Sequence, residues 1–374
     1  MRSAPNEPAL ADAFAGRRVL LTGHTGFKGA WLTLWLESLG ARVTGFALPP
    51  ATTPALFDEL ALAGRCEHVV GDVRDPAAVR EVVRACRPEV VLHLAAQPLV
   101  RYSYDHPVET FATNVLGTAH VLEAVRRERL RCAVVVVSSD KCYQNREWPY
   151  GYREDDPMGG HDPYSASKGG TELVVSSYRS SFFPPERLAE HGVALASARA
   201  GNVIGGGDWA LDRIVPDAVR SLCEGKPIPV RNPLAVRPWQ HVLEPLGGYL
   251  LLAARLLGAP GDAARCCGPW NFGPSPESAR PVRDVVAAAV ASWGEGSWTE
   301  ARQEGAPHEA GLLRLSIEKA VGQLGWRPRW DLEEAVARTV AWYRAHHRGA
   351  GAEELRALAL SQIRDYLGEE ARAS

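Results

Sequence analysis

Tyr164 and Lys168 stand four residues apart in the stretch Tyr-Ser-Ala-Ser-Lys. On a helix that spacing puts both side chains on one face. A tyrosine ordinarily titrates near pH ~10. A neighbouring ammonium favours the phenolate, so the pair could take a proton from an alcohol near neutral pH. The hydroxyl of Ser138 or Ser139, at the end of a β-branched run (134–137), would orient the same oxygen. Asp140 and Lys141 follow at once and are expected to project towards a bound substrate. Tyr-x-x-x-Lys alone is common on exposed helices. Placed after a buried strand end, it is specific.

These groups need a strand end and a helix held side by side. Apolar, β-branched runs predict strands at 18–22, 42–48, 89–94, 132–138 and 193–199, and helical patterns at 27–39, 77–86, 107–127 and 162–181 lie between them. Strands alternating with helices predict an α/β fold, a Rossmann-like doubly wound parallel sheet. Residues 1–16 read as a flexible leader and 17–200 as the dinucleotide-binding domain. From 201 the chain turns irregular, with a glycine-rich stretch at 201–207 and four prolines in 227–238. Residues 201–374 are therefore expected to form mainly a smaller, irregular substrate-binding lobe, with about 230–260 returning to the sheet.

Gly23, Gly26 and Gly29 have the spacing G-x-x-G-x-x-G directly after the first strand. A tight turn, close approach to a pyrophosphate, and helix-on-strand packing each require a missing side chain. The helix that starts at Phe27 would then offer its N-terminal N–H groups to the phosphates. His24 and Lys28 add polar or positive groups to the loop. Asp72, after the third strand, is expected at the adenine end with Val73. Leu94, Ala95 and Ala96, at another strand end, belong to the same cofactor site. The region 43–50 offers neither an acidic residue for a ribose 2′-hydroxyl nor an arginine for a 2′-phosphate. Local sequence leaves NAD and NADP open.

The net charge of −2 and the absence of any run of like charge give nucleic acid or a membrane surface no electrostatic attraction. The seven cysteines form no Cys-x-x-Cys pair and no cluster with metal-ligand spacing, so neither disulfides nor a metal is expected. No signal peptide and no spanning apolar run are visible, which points to a cytoplasmic protein.

At six stretches the sequence is similar to the nucleotide-sugar 4,6-dehydratases of the extended short-chain dehydrogenase/reductase superfamily, and within them to the branch acting on CDP-glucose. These are Thr-Gly-His-Thr-Gly-Phe-Lys-Gly (22–29), Leu-Ala-Ala-Gln-Pro-Leu-Val-Arg (94–101), Ser-Asp-Lys-Cys-Tyr (139–143), Gly-Gly-His-Asp-Pro-Tyr-Ser-Ala-Ser-Lys (159–168), Arg-Ala-Gly-Asn-Val-Ile-Gly-Gly-Gly-Asp-Trp (199–209) and Arg-Pro-Trp-Gln-His (237–241). The resemblance implies NAD as cofactor. It implies oxidation at C4 of the glucosyl unit, loss of water across C5 and C6, and return of the hydride to C6, giving CDP-4-keto-6-deoxy-D-glucose.

Carried over by position, Ser139 is the orienting hydroxyl, Tyr164 the base and Lys168 its partner, and Asp140 the acid for the departing C6 hydroxyl. The related dTDP-glucose enzymes carry glutamate beside that aspartate as the C5 base. Here Lys141 stands in its place, either as a neutral amine or as an ammonium stabilising the enolate while another group takes the proton. Arg237 and Arg213 are candidates for the diphosphate, since a guanidinium fork suits phosphate oxygens. Asn202 resembles a diphosphate-contacting asparagine, and Gln97 and Arg101 lie on a loop at the sheet edge where ligands sit. Asn114 is given no role. Trp209, Trp239 and Trp270 are expected in the lobe core. By the same resemblance, helices 107–127 and 162–181 are expected to form a homodimer. A nucleotide-sugar 4-epimerase needs no acid at Asp140, and a silent NAD(P)-binding regulator needs none of the catalytic set; both are weaker readings.

Overall fold

The computed structural model describes residues 7–301 and 312–368. Six strands lead its sheet: β1 (Arg18–Thr22), β2 (Arg42–Ala47), β3 (Glu67–Val70), β4 (Val90–His93), β5 (Cys132–Val137) and β6 (Val193–Ala200). A seventh, Pro269–Phe272, pairs with β6. All pair in parallel, in the order Pro269–Phe272, β6, β5, β4, β1, β2, β3. The order reverses between β1 and β4, which opens a crevice at the carboxyl ends of the strands.

Parallel strands carry helices on both faces, so their residues are buried whichever way they point. Every residue of β4, β5 and β6 is buried, which is why these strands are mostly apolar along both faces. One core forms where helices Phe27–Ser38, Leu243–Leu256, Leu332–His347 and Ala352–Leu367 meet the sheet. The other face packs against Pro76–Cys86, Gly117–Arg127 and the catalytic helix Pro163–Ser181. Capping explains two of these starts. Asp75 accepts from the backbone N–H groups of Ala77 and Ala78, Asp162 accepts from Ser165 N at 2.9 Å, and each is followed by proline at the first helical position. The helix expected at 107–127 is interrupted by a π-turn, Ala112–Leu116.

Two expectations need correction. Residues 7–14 are not a loose leader: they form the helix Glu7–Phe14, and Leu10 and Phe14 are buried in the first core. Residues 1–6 lie outside the described residues. The return to the sheet also extends beyond 230–260. Helix Leu243–Leu256 packs on β5 and β6, but the chain goes on to add the strand Pro269–Phe272. A four-residue strand at the sheet edge, between a helix and a loop, carries too little periodicity to be read alone.

Among the described residues, no helix is long and apolar enough to cross a membrane. Phe14 is fully buried, so Phe14→Ala should cost about 3–5 kcal/mol of stability. Chemical denaturation would measure it; a midpoint equal to wild type would mean that this helix is not part of the core.

Candidate active site

A cleft of about 1650 Å³ runs along the carboxyl ends of the strands. It begins at the glycine loop. Gly23 has φ +77°, and a Cβ there would come within 2.7 Å of Ala95 N. A Cβ on Gly29 would lie 2.1 Å from Gly23 O. The loop can fold against β4 and its own helix only because both side chains are missing. Gly26 is the N-cap of helix Phe27–Ser38, and a Cβ there would lie 3.4 Å from Gly23 O. A pyrophosphate fits this cradle, and Gly23, Gly26, Phe27, Lys28 and Gly29 all line it.

Leu94, Ala95 and Ala96 form the adjoining wall, with Ala95 N bonded to Thr22 Oγ1 at 3.2 Å. Asp72 and Val73 lie on the wall after β3. Asp72 is paired with Arg74 at 2.6 Å, and this hydrogen-bonded guanidinium holds its carboxyl below the usual range. Leu48 and Pro49 line the end of β2 with no acidic residue.

His24 is a correction. It does not line the cleft; its buried ring stands over Gly45, edge-on to Phe57, with Nε2 2.6 Å from His68 Nδ1. Burial and the neighbouring His68 pull its pKa down to about 4. A residue between two glycines can turn to either side of the loop, and spacing does not reveal which.

The catalytic set converges at the end of β5. Ser139 Oγ donates to Asp140 Oδ1 at 2.9 Å and accepts from Lys141 N at 3.2 Å. Tyr164 and Ser139 line the same part of the cleft. Lys168 Nζ reaches Val137 O at 3.4 Å. Burial raises the Tyr164 pKa to about 12, with the Ser139 hydroxyl opposing and Asp140 adding to the rise. Burial is thus the leading influence on Tyr164, and the phenol holds its proton more tightly than a free tyrosine does. Lys168 is drawn down to about 8 by burial, against the opposing pull of Glu172 and Cys142.

Lys28 reaches into the same centre. It is drawn down to about 7, first by burial, then by Arg213 and Lys168, while Asp140 opposes. Its ammonium lies 6.0 Å from the ring centroid of Tyr249. Asp140 is almost fully buried, and its Oδ2 has no hydrogen-bond partner among the described residues.

The expected substrate residues all line the cleft but differ in what they can offer. Arg213 is paired with Asp208 at 2.7 Å and lies close enough to Tyr164 to feel its charge. Arg237 stands on the strand Val236–Pro238, its Nη1 bonded to Val236 O. Arg101 lies 3.5 Å from Asp212. Asn202 uses its backbone carbonyl to accept from Gln240 N at 3.1 Å, and its buried Oδ1 has no partner among the described residues. The Gln97 amide donates to Thr110 Oγ1 and accepts from Leu99 N, so it also braces the loop on which it lines the cleft.

Two further residues matter. Asn114, inside the π-turn, donates to Ser167 Oγ on the catalytic helix at 2.8 Å and accepts from Gln97 N at 2.8 Å. It ties the loop after β4 to the helix that carries Tyr164. Tyr249 lies buried beneath the site, electrostatically coupled to Tyr164 and Asp140, and its hydroxyl has no partner among the described residues. A polar residue in an apolar helical run was the only available signal for either. Trp239 and Trp270 are buried, and Trp209 and Trp239 both line the cleft. No group of three or more potential metal ligands occurs among the described residues.

A doubly wound sheet with Tyr-x-x-x-Lys beside a strand-end serine defines an extended short-chain dehydrogenase/reductase. Residues 20–249 match the family model described as GDP-mannose 4,6 dehydratase, and the chain belongs to this family of nucleotide-sugar 4,6-dehydratases. It is 50% identical over 357 residues to a CDP-glucose 4,6-dehydratase of Salmonella typhimurium, covering 96% of this chain and 98% of that one. In structure it is similar to a dTDP-glucose 4,6-dehydratase from Streptomyces venezuelae solved with NAD bound, at 25% identity and TM-score 0.73, over 88% and 98% of the two chains. It is likewise similar to a UDP-glucose 4-epimerase of Thermus thermophilus in complex with NAD, at 26% identity and TM-score 0.72, over 89% and 99%.

Lys28 and Lys168 set the expected pH dependence of cofactor binding. Both pKa values are lowered, so each lysine is charged below its value and neutral above it. Affinity for NAD should fall as pH rises through about 7 and again through about 8, by about tenfold per lost charge-assisted contact. Lys28→Met should abolish the first fall and keep the second. Fluorescence titration of NAD across pH 6–9 would measure both; a flat profile would mean that neither amine contacts the cofactor.

Proposed function

We propose that this protein converts CDP-D-glucose to CDP-4-keto-6-deoxy-D-glucose and water, using NAD retained through the cycle. The observation that carries the reading is the buried Asp140, hydrogen-bonded to Ser139 and lining the same cleft as Tyr164. It places a carboxyl acid beside the oxidation centre. The 50% identity over nearly the full chain supports the nucleotide.

When bound, NAD would accept the C4 hydride, deliver it to C6 after water has left, and bring a cationic ring that lowers the pKa of Tyr164. Tyr164 takes the C4 hydroxyl proton while Ser139 orients that oxygen. Lys168 holds the cofactor ribose and stabilises the phenolate. The resulting ketone acidifies the C5 proton. Asp140 gives its proton to the C6 hydroxyl as the C6–O bond breaks and water leaves. A base at the Lys141 end of the turn takes the C5 proton and later returns it. The proton held by Tyr164 restores the Asp140 carboxyl. Lys141 stands on the same turn as Asp140, at the elimination end. Arg213 and Arg237 are assigned to the diphosphate with Asn202. Arg101 is placed at the sugar side of the cleft.

Each of CDP-glucose, dTDP-glucose, UDP-glucose and GDP-mannose should be incubated separately with the protein and examined by mass spectrometry. Loss of water from CDP-glucose is expected, and Asp140→Asn should lower it by about 10²–10⁴-fold while C4 oxidation continues. Dehydration at the wild-type rate in this variant would remove Asp140 from its role, and C4 inversion without water loss would mean an epimerase.

A homodimer is part of the proposal. Val108, Phe111, Leu116, Leu173 and Phe182 are exposed apolar residues on the two expected helices, Val108 to 80% and Leu173 to 63%. A second copy of the chain would bury them. The seven unpaired thiols suit the reducing cytoplasm. Sedimentation should give a dimer for the wild type and a monomer for Leu173→Asp; a monomeric wild type would overturn this.

A further inference from the structure

Behind the catalytic residues lies a buried polar network that the chemistry above does not use. Glu172 stands one turn after Lys168 on the catalytic helix and is buried. Its Oε1 accepts from Ser138 Oγ, and its Oε2 accepts from Ser197 Oγ at 2.7 Å and from Arg199 Nη2 at 2.8 Å. Arg199, only 3% exposed, carries the network on. Its Nη1 donates to Tyr143 OH at 2.7 Å and to Glu154 O at 2.9 Å, and its guanidinium lies 5.0 Å from the Tyr143 ring centroid. The Tyr143 hydroxyl donates to Asn271 Oδ1 at 2.7 Å.

A buried ion pair is poor value for stability alone, because the desolvation of both charges offsets most of their attraction. It does fix geometry. Here each arm ends on a catalytic segment. Ser138 immediately precedes Ser139. Tyr143 immediately follows the short helical turn Asp140–Cys142, which holds Asp140 and Lys141. One arm therefore ties the catalytic helix to the strand end, and the other ties the pair to the turn that bears the acid.

Resting on the dehydratase reading, we propose that Glu172 and Arg199 are positioning residues. The Glu172 arm holds Ser139, Tyr164 and Lys168 together for oxidation. The Arg199–Tyr143 arm holds Asp140 and Lys141 for elimination. The two half-reactions then depend on different hydrogen bonds of one network, and cutting either arm separates them.

Single turnovers of CDP-glucose would test this, following reduced nicotinamide by absorbance and water loss by mass spectrometry, with thermal melting alongside. Tyr143→Phe removes only the hydroxyl that joins Arg199 to the turn. It should oxidise C4 at the wild-type rate, lose dehydration on the order of 100-fold, and accumulate reduced nicotinamide. Glu172→Gln should slow oxidation itself by a similar factor, accumulate none, and shift the pH profile of the oxidation step. The pair Glu172→Gln with Arg199→Met removes both members of the ion pair together; it should melt closer to the wild type than either single variant and show both defects. Variants that melt normally and keep the wild-type balance of oxidation and dehydration would overturn the proposal. So would losses that only track melting temperature. A wild type that dehydrates none of the nucleotide sugars fails at the earlier step and removes both readings.

Discussion

The close approach of Gly23 to Ala95 is the constraint on which the site depends. The Gly23 backbone lies so near β4 that a methyl group would collide with Ala95 N. That contact folds the loop after β1 over the end of β4, at the point where the strand order reverses. Every other part of the cleft is placed relative to it. Helix Phe27–Ser38 starts from the Gly26 cap of that loop, the loop after β4 is held by Asn114, and Asn114 in turn bonds helix Pro163–Ser181 through Ser167. A packing requirement of two backbones becomes the geometry of an active centre.

Electrostatics adds a second requirement. Lys28, Lys168 and Arg213 line one cleft, and Arg213 and Lys168 both lower the proton affinity of Lys28. Burial lowers both lysines, to about 7 and about 8, with the neighbouring cations adding to the fall at Lys28. Such a cluster costs free energy while empty. Two diphosphates, one from the cofactor and one from the substrate, would supply the missing negative charge. Affinity for anions is thus built into the folded state.

The local features were the legible ones. Strand β5 is a run of valines, the glycine loop follows a strand directly, and Asp162-Pro163 marks the start of the catalytic helix, so these elements and the Tyr164–Lys168 face could be read from neighbours in sequence. What depended on side-chain direction or on distant partners could not. His24 turns away from the cleft because Gly45 and His68, on other strands, make room for its ring. Gln97 also braces its own loop, through Thr110 and Leu99 N, which its spacing does not reveal. Glu172, Arg199 and Tyr143 come from three separate segments, and nothing in their local spacing announces that they meet. Helix Glu7–Phe14 was hidden in a polar, alanine-rich stretch whose two apolar anchors find their partners far along the chain.

Trp35, on the cofactor helix, shows a consequence of that last point. Its ring is edge-on to Tyr366 at 5.8 Å, and helix Ala352–Leu367 lies across helix Phe27–Ser38. The cofactor half of the sheet is synthesised early, but this apolar face is covered by residues made long afterwards. On the ribosome the nascent chain must therefore carry an unsealed tryptophan surface until the late helix emerges. The first half of the protein cannot mature as an independent unit, and the holding factors that shield nascent chains have a defined face to protect during that interval.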